Sequence, residues 1–192
     1  MAKLAVQTLG TPQERLLEAA GQAALVVGAS LFVALCARVT FSLLPLTPVP
    51  LTLQNFAVLL VGLLLGSRRG FAAMTLYLIE GMAGMPVFNA AGPGGVAQLF
   101  GITGGFLLAY PSVAFLAGYI FERGAKSFSR AVIASLLAEI LLFAGGLSWL
   151  YFFTHSLVKA AYFGLYFFVA AEVVKILLAA AIAFRWRRRA GQ

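Results

Sequence analysis

Five ionisable side chains fall inside or at the edge of long apolar runs: Arg38, Glu80, Glu139, Glu172 and Lys175. At membrane depth such groups are costly and face a cavity or a partner. Glu172 and Lys175 stand at i and i+3, which on a helix puts them on one face, where they can neutralise each other. One reading is a structural ion pair that fixes the last helix in a bundle. The other is a strong acceptor and a strong donor offered to a polar, neutral ligand group. Glu139 is alone in mid-run, and Arg38 can snorkel or meet an anion. Asn89 carries both an amide donor and an acceptor, or simply bonds its own turn. Thr52 and Gln54 open a helix, as a cap and as a free amide. Phe88, Tyr110 and Trp149 offer faces for stacking, or fill core or lipid-facing positions. Cys36 is the only cysteine, which excludes a disulfide framework and a Cys-based metal site. His155 reads as a loop residue. No Gly-Lys-Ser/Thr phosphate loop, zinc spacing or Ser–His–Asp arrangement is visible, and no cofactor is implied. If transport through this chain uses ATP, the ATPase is another chain.

These residues must be positioned by elements that a membrane permits. The chain has 192 residues, 62% hydrophobic and 10% charged, with mean hydropathy +0.97. Soluble domains average roughly 25% charged residues, so an integral membrane protein with one domain is expected. The net charge of +8 raises the question of nucleic acid. Yet all the cations except Arg38, Lys159 and Lys175 sit near the termini or in two short loops, as the positive-inside rule requires. The partner of that charge is a lipid bilayer, with no nucleic acid. The first twenty residues are too polar for a secretory signal.

Met85 to Gly105, MPVFNAAGPGGVAQLFGITGG, organises the rest. Its glycines and prolines forbid an uninterrupted helix, and it carries no charge. In lipid its backbone would lose several kcal/mol per unpaired group. It is therefore expected against protein at the mouth of a helix bundle, as the lid of a small-molecule site.

Thr11-Pro12-Gln13-Glu14 reads as a capping box opening a short interfacial segment before a first span, about 21–44. Pro45, Pro48 and Pro50 stiffen the following loop. Two short runs, Thr52 to Gly66 and Gly70 to Gly84, flank a tight turn at Ser67-Arg68-Arg69. Each has 15 residues, about 22 Å of helix against a hydrocarbon core of about 30 Å. They span only if the loops at their far ends sink inward. The fourth span, 105–121, contains Pro111 and should bend there. The fifth runs over 131–153, and the last apolar stretch, 157–184, should bend near Gly164. The expected fold is an all-α bundle of six transmembrane helices. Domain boundaries are an N-terminal segment 1–20, a bundle 21–184 and a basic tail 185–192. A six-span path puts every arginine-rich loop and both termini in the cytoplasm, and the lid outside. Ala20, Ala24 and Gly28 form a small-residue ladder on the first helix, with Ser30, Ala34 and Ala37 as a second strip. Bundle packing and an interface with another membrane protein both fit.

Several segments resemble the BioY family of biotin-specific substrate-binding (S) components of energy-coupling factor transporters. They are Pro48-Val49-Pro50-Leu51-Thr52-Leu53-Gln54, LLVGLLLGSRRG at 59–70, Gly84-Met85-Pro86-Val87-Phe88, Gly94-Gly95, Gly101-Ile102-Thr103-Gly104-Gly105-Phe106, and the acid-x-x-Lys pair. The family usually has Pro-Gly-Asp where this chain has Ala170-Ala171-Glu172, and proline at Ile102. The resemblance implies a binding subunit and no enzyme, in the plasma membrane of a bacterium or archaeon. It implies that Lys175 donates to the ureido oxygen of biotin and that Glu172 and Asn89 complete that ring's hydrogen bonds. Gln54, the Gly104–Gly105 backbone and Lys159 remain open partners for the carboxylate. It further implies a transmembrane T protein and an ATPase pair as partners, meeting the small-residue face of the first helix. The rivals are an S component for another vitamin, an intramembrane enzyme using Glu139 or Glu172, and a purely structural subunit.

Overall fold

Thr11 caps a helix as expected: its hydroxyl accepts from Glu14 N at 3.3 Å and the Glu14 carboxylate accepts from Thr11 N at 2.8 Å. The short segment and the first span, however, are one continuous helix, α1, Pro12–Ala37, which ends at Ala37 and not near Leu44. The computed structural model describes residues 11–125 and 127–189; Lys126 of the charged loop lies outside the described residues. Beyond α1 come α2 (Gln54–Leu65), α3 (Ser67–Met82), α4 (Gly95–Leu99), α5 (Gly104–Glu122), α6 (Phe128–Thr154), α7 (Leu157–Ala161) and α8 (Val169–Arg189). Three helices, α1, α5 and α6, are long and apolar enough to cross a membrane. A fourth span results if the bent pair around α7 and α8 counts as one, and α2 is a shorter apolar helix.

The proline loop departs from an all-helical expectation. Thr40–Phe41 (β1) pairs antiparallel with Leu51–Thr52 (β2), so the loop is drawn into a hairpin. Thr47 pins it to the rest: its hydroxyl donates to the Phe163 carbonyl at 2.7 Å and accepts from Val49 N at 3.1 Å.

The turn expected at Ser67-Arg68-Arg69 is instead the first turn of α3, and the break between α2 and α3 is Gly66 alone. Gly66 has φ +87°, a conformation that glycine adopts without steric penalty. The Glu122 carboxylate at the far end of α5 then accepts from Ser67 N at 3.0 Å and Ser67 Oγ at 2.8 Å. An anion thus caps the N-terminus of α3, where the helix dipole favours it. Because one residue suffices for the reversal, α2 and α3 lie side by side, and both pack on α5.

Small residues let the backbones touch. A Cβ at Gly118 of α5 would run into the Gly66–Ser67 backbone, and one at Gly62 into the Ala114 carbonyl. α5 continues through Pro111 and packs most extensively on α6. The last stretch breaks where expected: a π-helical turn, Tyr162–Tyr166, follows α7, and the axis bends by 47° before α8.

α1 is the least covered helix, with Ala29, Ser30, Val33 and Ala37 its buried residues. The two small-residue strips therefore separate. Ala20, Ala24 and Gly28 face outward and are exposed, whereas Ser30 and Ala37 are buried. The Ser30 hydroxyl donates to Glu80 of α3, which gives that acid its partner. Ser30 and Ala37 belong to the packing of α1 on the bundle and do not form an outer surface, with Ala34 half-buried between.

Candidate functional site

The bundle has two unlike ends. At one lie Arg68, Arg69, Arg123, Arg130 and the arginines of α8; at the other lie the proline hairpin, the start of α5 and the π turn. The second end holds a hollow with an enclosed volume of about 40 Å³. That is well below small-molecule pockets of roughly 300–1,000 Å³, so a vitamin-sized ligand enters only when the walls and the loops above them move apart. Its polar wall comes from Thr52, Gln54, Asn55, Asn89, Thr103 and Tyr110, and its apolar wall from Val49, Phe106, Leu107 and Phe168. Pro50, Asn89 and Thr103 also border an outer recess between the proline and glycine-rich loops, which also runs past Pro48, Pro93 and Ile102.

The glycine-rich stretch folds back onto the bundle, as its lack of charge requires. Val87, Phe88 and Asn89 are buried, while residues 90–93 remain exposed. The Tyr77 hydroxyl donates to the Val87 carbonyl at 2.9 Å, and Gln54 Nε2 donates to Tyr77 at 2.6 Å. Gln98 ties the middle together, accepting from Gly94 N at 3.0 Å and donating to the Asn89 carbonyl at 3.4 Å. At the far end Trp149 Nε1 of α6 donates to the Gly101 carbonyl at 2.9 Å. Three side chains from three helices thus hold an irregular segment that has little secondary structure of its own.

Two polar groups are left facing the hollow. Asn89 Oδ1 accepts from Ala91 N at 3.2 Å, so the turn reading holds for that oxygen, but among the described residues Nδ2 has no partner. Gln54 has its N–H on Thr52 Oγ1 at 3.3 Å and its Nε2 on Tyr77, which leaves Oε1 as an acceptor. Both side chains are fixed by their other bonds and so are presented without further ordering.

Beneath the hollow lies a buried network that reaches the ion pair. Tyr110 donates to Asn55 Oδ1 at 3.0 Å, and Asn55 Nδ2 donates to Glu172 Oε1 at 3.2 Å. The same oxygen accepts from Lys175 Nζ at 2.7 Å. Glu172 and Lys175 are 3% and 6% exposed, so lipid does not reach them. Glu172 Oε2, both oxygens of Glu139 and the Ser135 hydroxyl are buried without a partner among the described residues. Ser135 and Glu139 are one turn apart on α6, the helix that packs on α8 beside the pair.

Of the residues singled out from sequence, Thr52, Gln54, Asn89 and Tyr110 border the hollow. Glu172 and Lys175 stand one layer below, reached through Asn55. Phe88, Gly104, Gly105 and Trp149 do not line it. Phe88 packs edge-on against Tyr77, with ring centroids 5.4 Å apart. Gly104 sits against the Leu99 carbonyl, and Gly105 is the notch that receives the Trp149 side chain. Asn55 escaped sequence reasoning, although it follows Gln54 directly in the only polar step of an apolar helix. In sequence Thr103 and Gly164 stand only as part of a motif and as a bend, and neither they nor Phe168 read as lining a site.

The BioY family pattern matches residues 8–192. The chain is 38% identical over 156 residues to the probable biotin transporter BioY of Pyrococcus horikoshii, covering 81% of this chain and 91% of that one. It is 34% identical over 163 residues to the biotin transporter BioY of Thermotoga maritima, covering 85% and 95%. The fold superimposes with a TM-score of 0.81 on the crystal structure at 2.1 Å of the S-component for biotin from an ECF-type ABC transporter. That match covers 90% of this chain and 93% of the other at 24% identity, and it bears on the fold alone. With the pattern spanning the whole bundle and the hollow built from its loops, the chain belongs to the BioY family.

Proposed function

We propose that this chain is the biotin-capturing S component of an energy-coupling factor uptake transporter, a multi-pass protein of the cell membrane and not an enzyme. The observation that carries the reading is a hollow at the end opposite the arginines. It joins an unengaged donor, an unengaged acceptor and an apolar wall above a buried carboxylate–ammonium couple. Biotin offers a neutral ureido ring with one acceptor and two donors, an apolar thioether ring and a carboxylate tail. The ureido oxygen accepts from Lys175, and Glu172 and Asn89 take up the ring's remaining hydrogen bonds. Since Glu172 Oε1 is held by Asn55 as well as Lys175, a ring that reaches the couple takes the place of the Asn55 amide. Phe106 and Phe168 cover the bicycle, and the glycine-rich and proline loops close over it.

The topology that goes with this is six spans, with both termini and the arginine-rich end in the cytoplasm and the hollow outside. α2 and α3, of 12 and 16 residues, cross because the loops at their outer ends are sunk into the bundle. A T protein docks on the outer strip Ala20, Ala24 and Gly28, and an ATPase pair drives release of the vitamin inward. The test is equilibrium binding of labelled biotin to the purified chain with other B vitamins as competitors. Displacement by unlabelled biotin alone is expected. Displacement by another vitamin at lower concentration would transfer the reading to that vitamin, and turnover into a product would replace it with an enzyme.

A further inference from the structure

The arginine-rich end carries a second hollow, of about 460 Å³, bordered by Leu65, Ser67, Arg68, Arg69, Glu122 and Arg187. Its one carboxylate is already engaged, since both Glu122 oxygens accept from Ser67. Among the described residues no acid lies within ion-pair distance of Arg68, Arg69 or Arg187. Arg187 Nη2 donates to the Leu64 carbonyl at 2.9 Å, which fixes the guanidinium at the end of α2, and its Nε is buried without a partner. Three guanidinium groups against one carboxylate, itself held by Ser67, leave a net positive charge that suits an anion, and the planar forks suit a phosphate.

This hollow does not end in solvent on all sides. Leu65 and Arg69 also border an apolar groove of about 520 Å³ that runs between α1 and α2 past Leu25, Gly28, Phe32 and Leu64. Trp186 also borders the groove and is exposed, as suits an indole near a membrane interface. Nothing lies within 4 Å of a Cβ built on Gly28, so the groove is open along α1. In a bilayer an open apolar groove is filled by an acyl chain, and the arginines at its end decide which headgroup that chain carries.

We propose that this end of the bundle is a specific site for an anionic phospholipid, with the phosphate held by Arg68, Arg69 and Arg187 and one acyl chain along the α1–α2 groove. A free phosphate would satisfy the guanidinium groups but leave the groove to any lipid, so continuity of the two favours one molecule that fills both. The site is remote from the hollow described above and does not depend on what that hollow binds. It belongs to the chain free of its T protein, since Ala24 and Gly28 of the strip given to that protein also border the groove.

The experiment is native mass spectrometry of the purified full chain with phosphatidylglycerol and phosphatidylcholine of identical acyl chains at equal concentration. Phosphatidylglycerol is expected to be retained about tenfold or more over phosphatidylcholine. Arg68→Gln/Arg69→Gln should bring the ratio within about twofold, while Arg123→Gln, at the same end but outside the hollow, keeps it. Circular dichroism establishes that each variant is folded, and if the double variant is not, Arg68→Gln alone, an exposed side chain, should lower the ratio about threefold or more. Tens of millimolar inorganic phosphate should leave phosphatidylglycerol bound. Equal retention of the two lipids, an unchanged ratio in the arginine variants, or displacement by inorganic phosphate would overturn the assignment.

Discussion

Glu172 and Lys175 matter for two separable reasons, and single and double substitutions pull them apart. As a buried pair they neutralise each other at 2.7 Å, and removing one partner leaves an uncompensated charge in a low-dielectric interior. Glu172→Ala is therefore expected to destabilise the bundle by about 3–5 kcal/mol, read as a lowered midpoint of thermal unfolding in detergent. Glu172→Leu/Lys175→Met, which removes both charges at similar volume, should restore most of that stability without restoring biotin binding. If the double variant stayed as unstable as Glu172→Ala, charge compensation would not be what holds this part of α8. Trp149 has a different task. Its indole N–H satisfies the Gly101 carbonyl at 2.9 Å, so Trp149→Phe should cost about 1 kcal/mol and raise hydrogen exchange in 86–103 more than in α5 or α6. Equal exchange in the variant would mean that Gln98 and Tyr77 alone fasten the lid. From sequence Trp149 reads as a stacking residue because its partner is a backbone carbonyl 48 positions away, which no local pattern encodes.

The helices show which junctions tolerate change. The reversal between α2 and α3 rests on Gly66 at φ +87° and on Glu122 reaching back to cap α3. Gly66→Ala pays left-handed backbone strain of roughly 1–2 kcal/mol and also pushes its Cβ into the Glu122 carboxylate. It is expected to lower the thermal midpoint more than Gly84→Ala does. Gly84 also has positive φ, but nothing lies within 4 Å of its Cβ, so equal losses would assign the whole effect to backbone strain. The arginines of Ser67-Arg68-Arg69 imitate a loop in sequence, because charge reads as surface; in the fold they are helical and simply lie at the exposed end of α3. The bend before α8 was legible, since a mostly apolar stretch of 28 residues exceeds one span and Gly164 sits within it. The hairpin around the prolines was not, because two residues per strand leave no alternation to read.

Apart from Arg38, the C-cap of α1 beside the hairpin, the molecule is polarised, with Arg68, Arg69, Arg123, Arg130 and the arginines of α8 at one end and hollow and loops at the other. If the first faces the cytoplasm, cysteine labelling reports it directly in a Cys36→Ser background. Ala91→Cys, on the exposed part of the lid, should react with a membrane-impermeant maleimide in intact cells, and Arg123→Cys only after permeabilisation. The reverse pattern would invert the topology. The membrane class, the lid and the ion pair were all readable, because each follows from composition or from helical spacing. Their arrangement was not: Asn55, not the pair itself, meets the floor of the hollow, since only packing of α2, α5 and α8 brings Tyr110, Asn55 and Glu172 into one chain of hydrogen bonds. The central claim is that this chain captures biotin above that couple. Titration of the purified wild-type chain and of Lys175→Ala with labelled biotin tests it most directly. Saturable binding of one biotin per chain is expected, weakened in the variant by at least about 2 kcal/mol, or roughly 30-fold. No saturable binding in the wild type, or equal affinity in the two proteins, would contradict it.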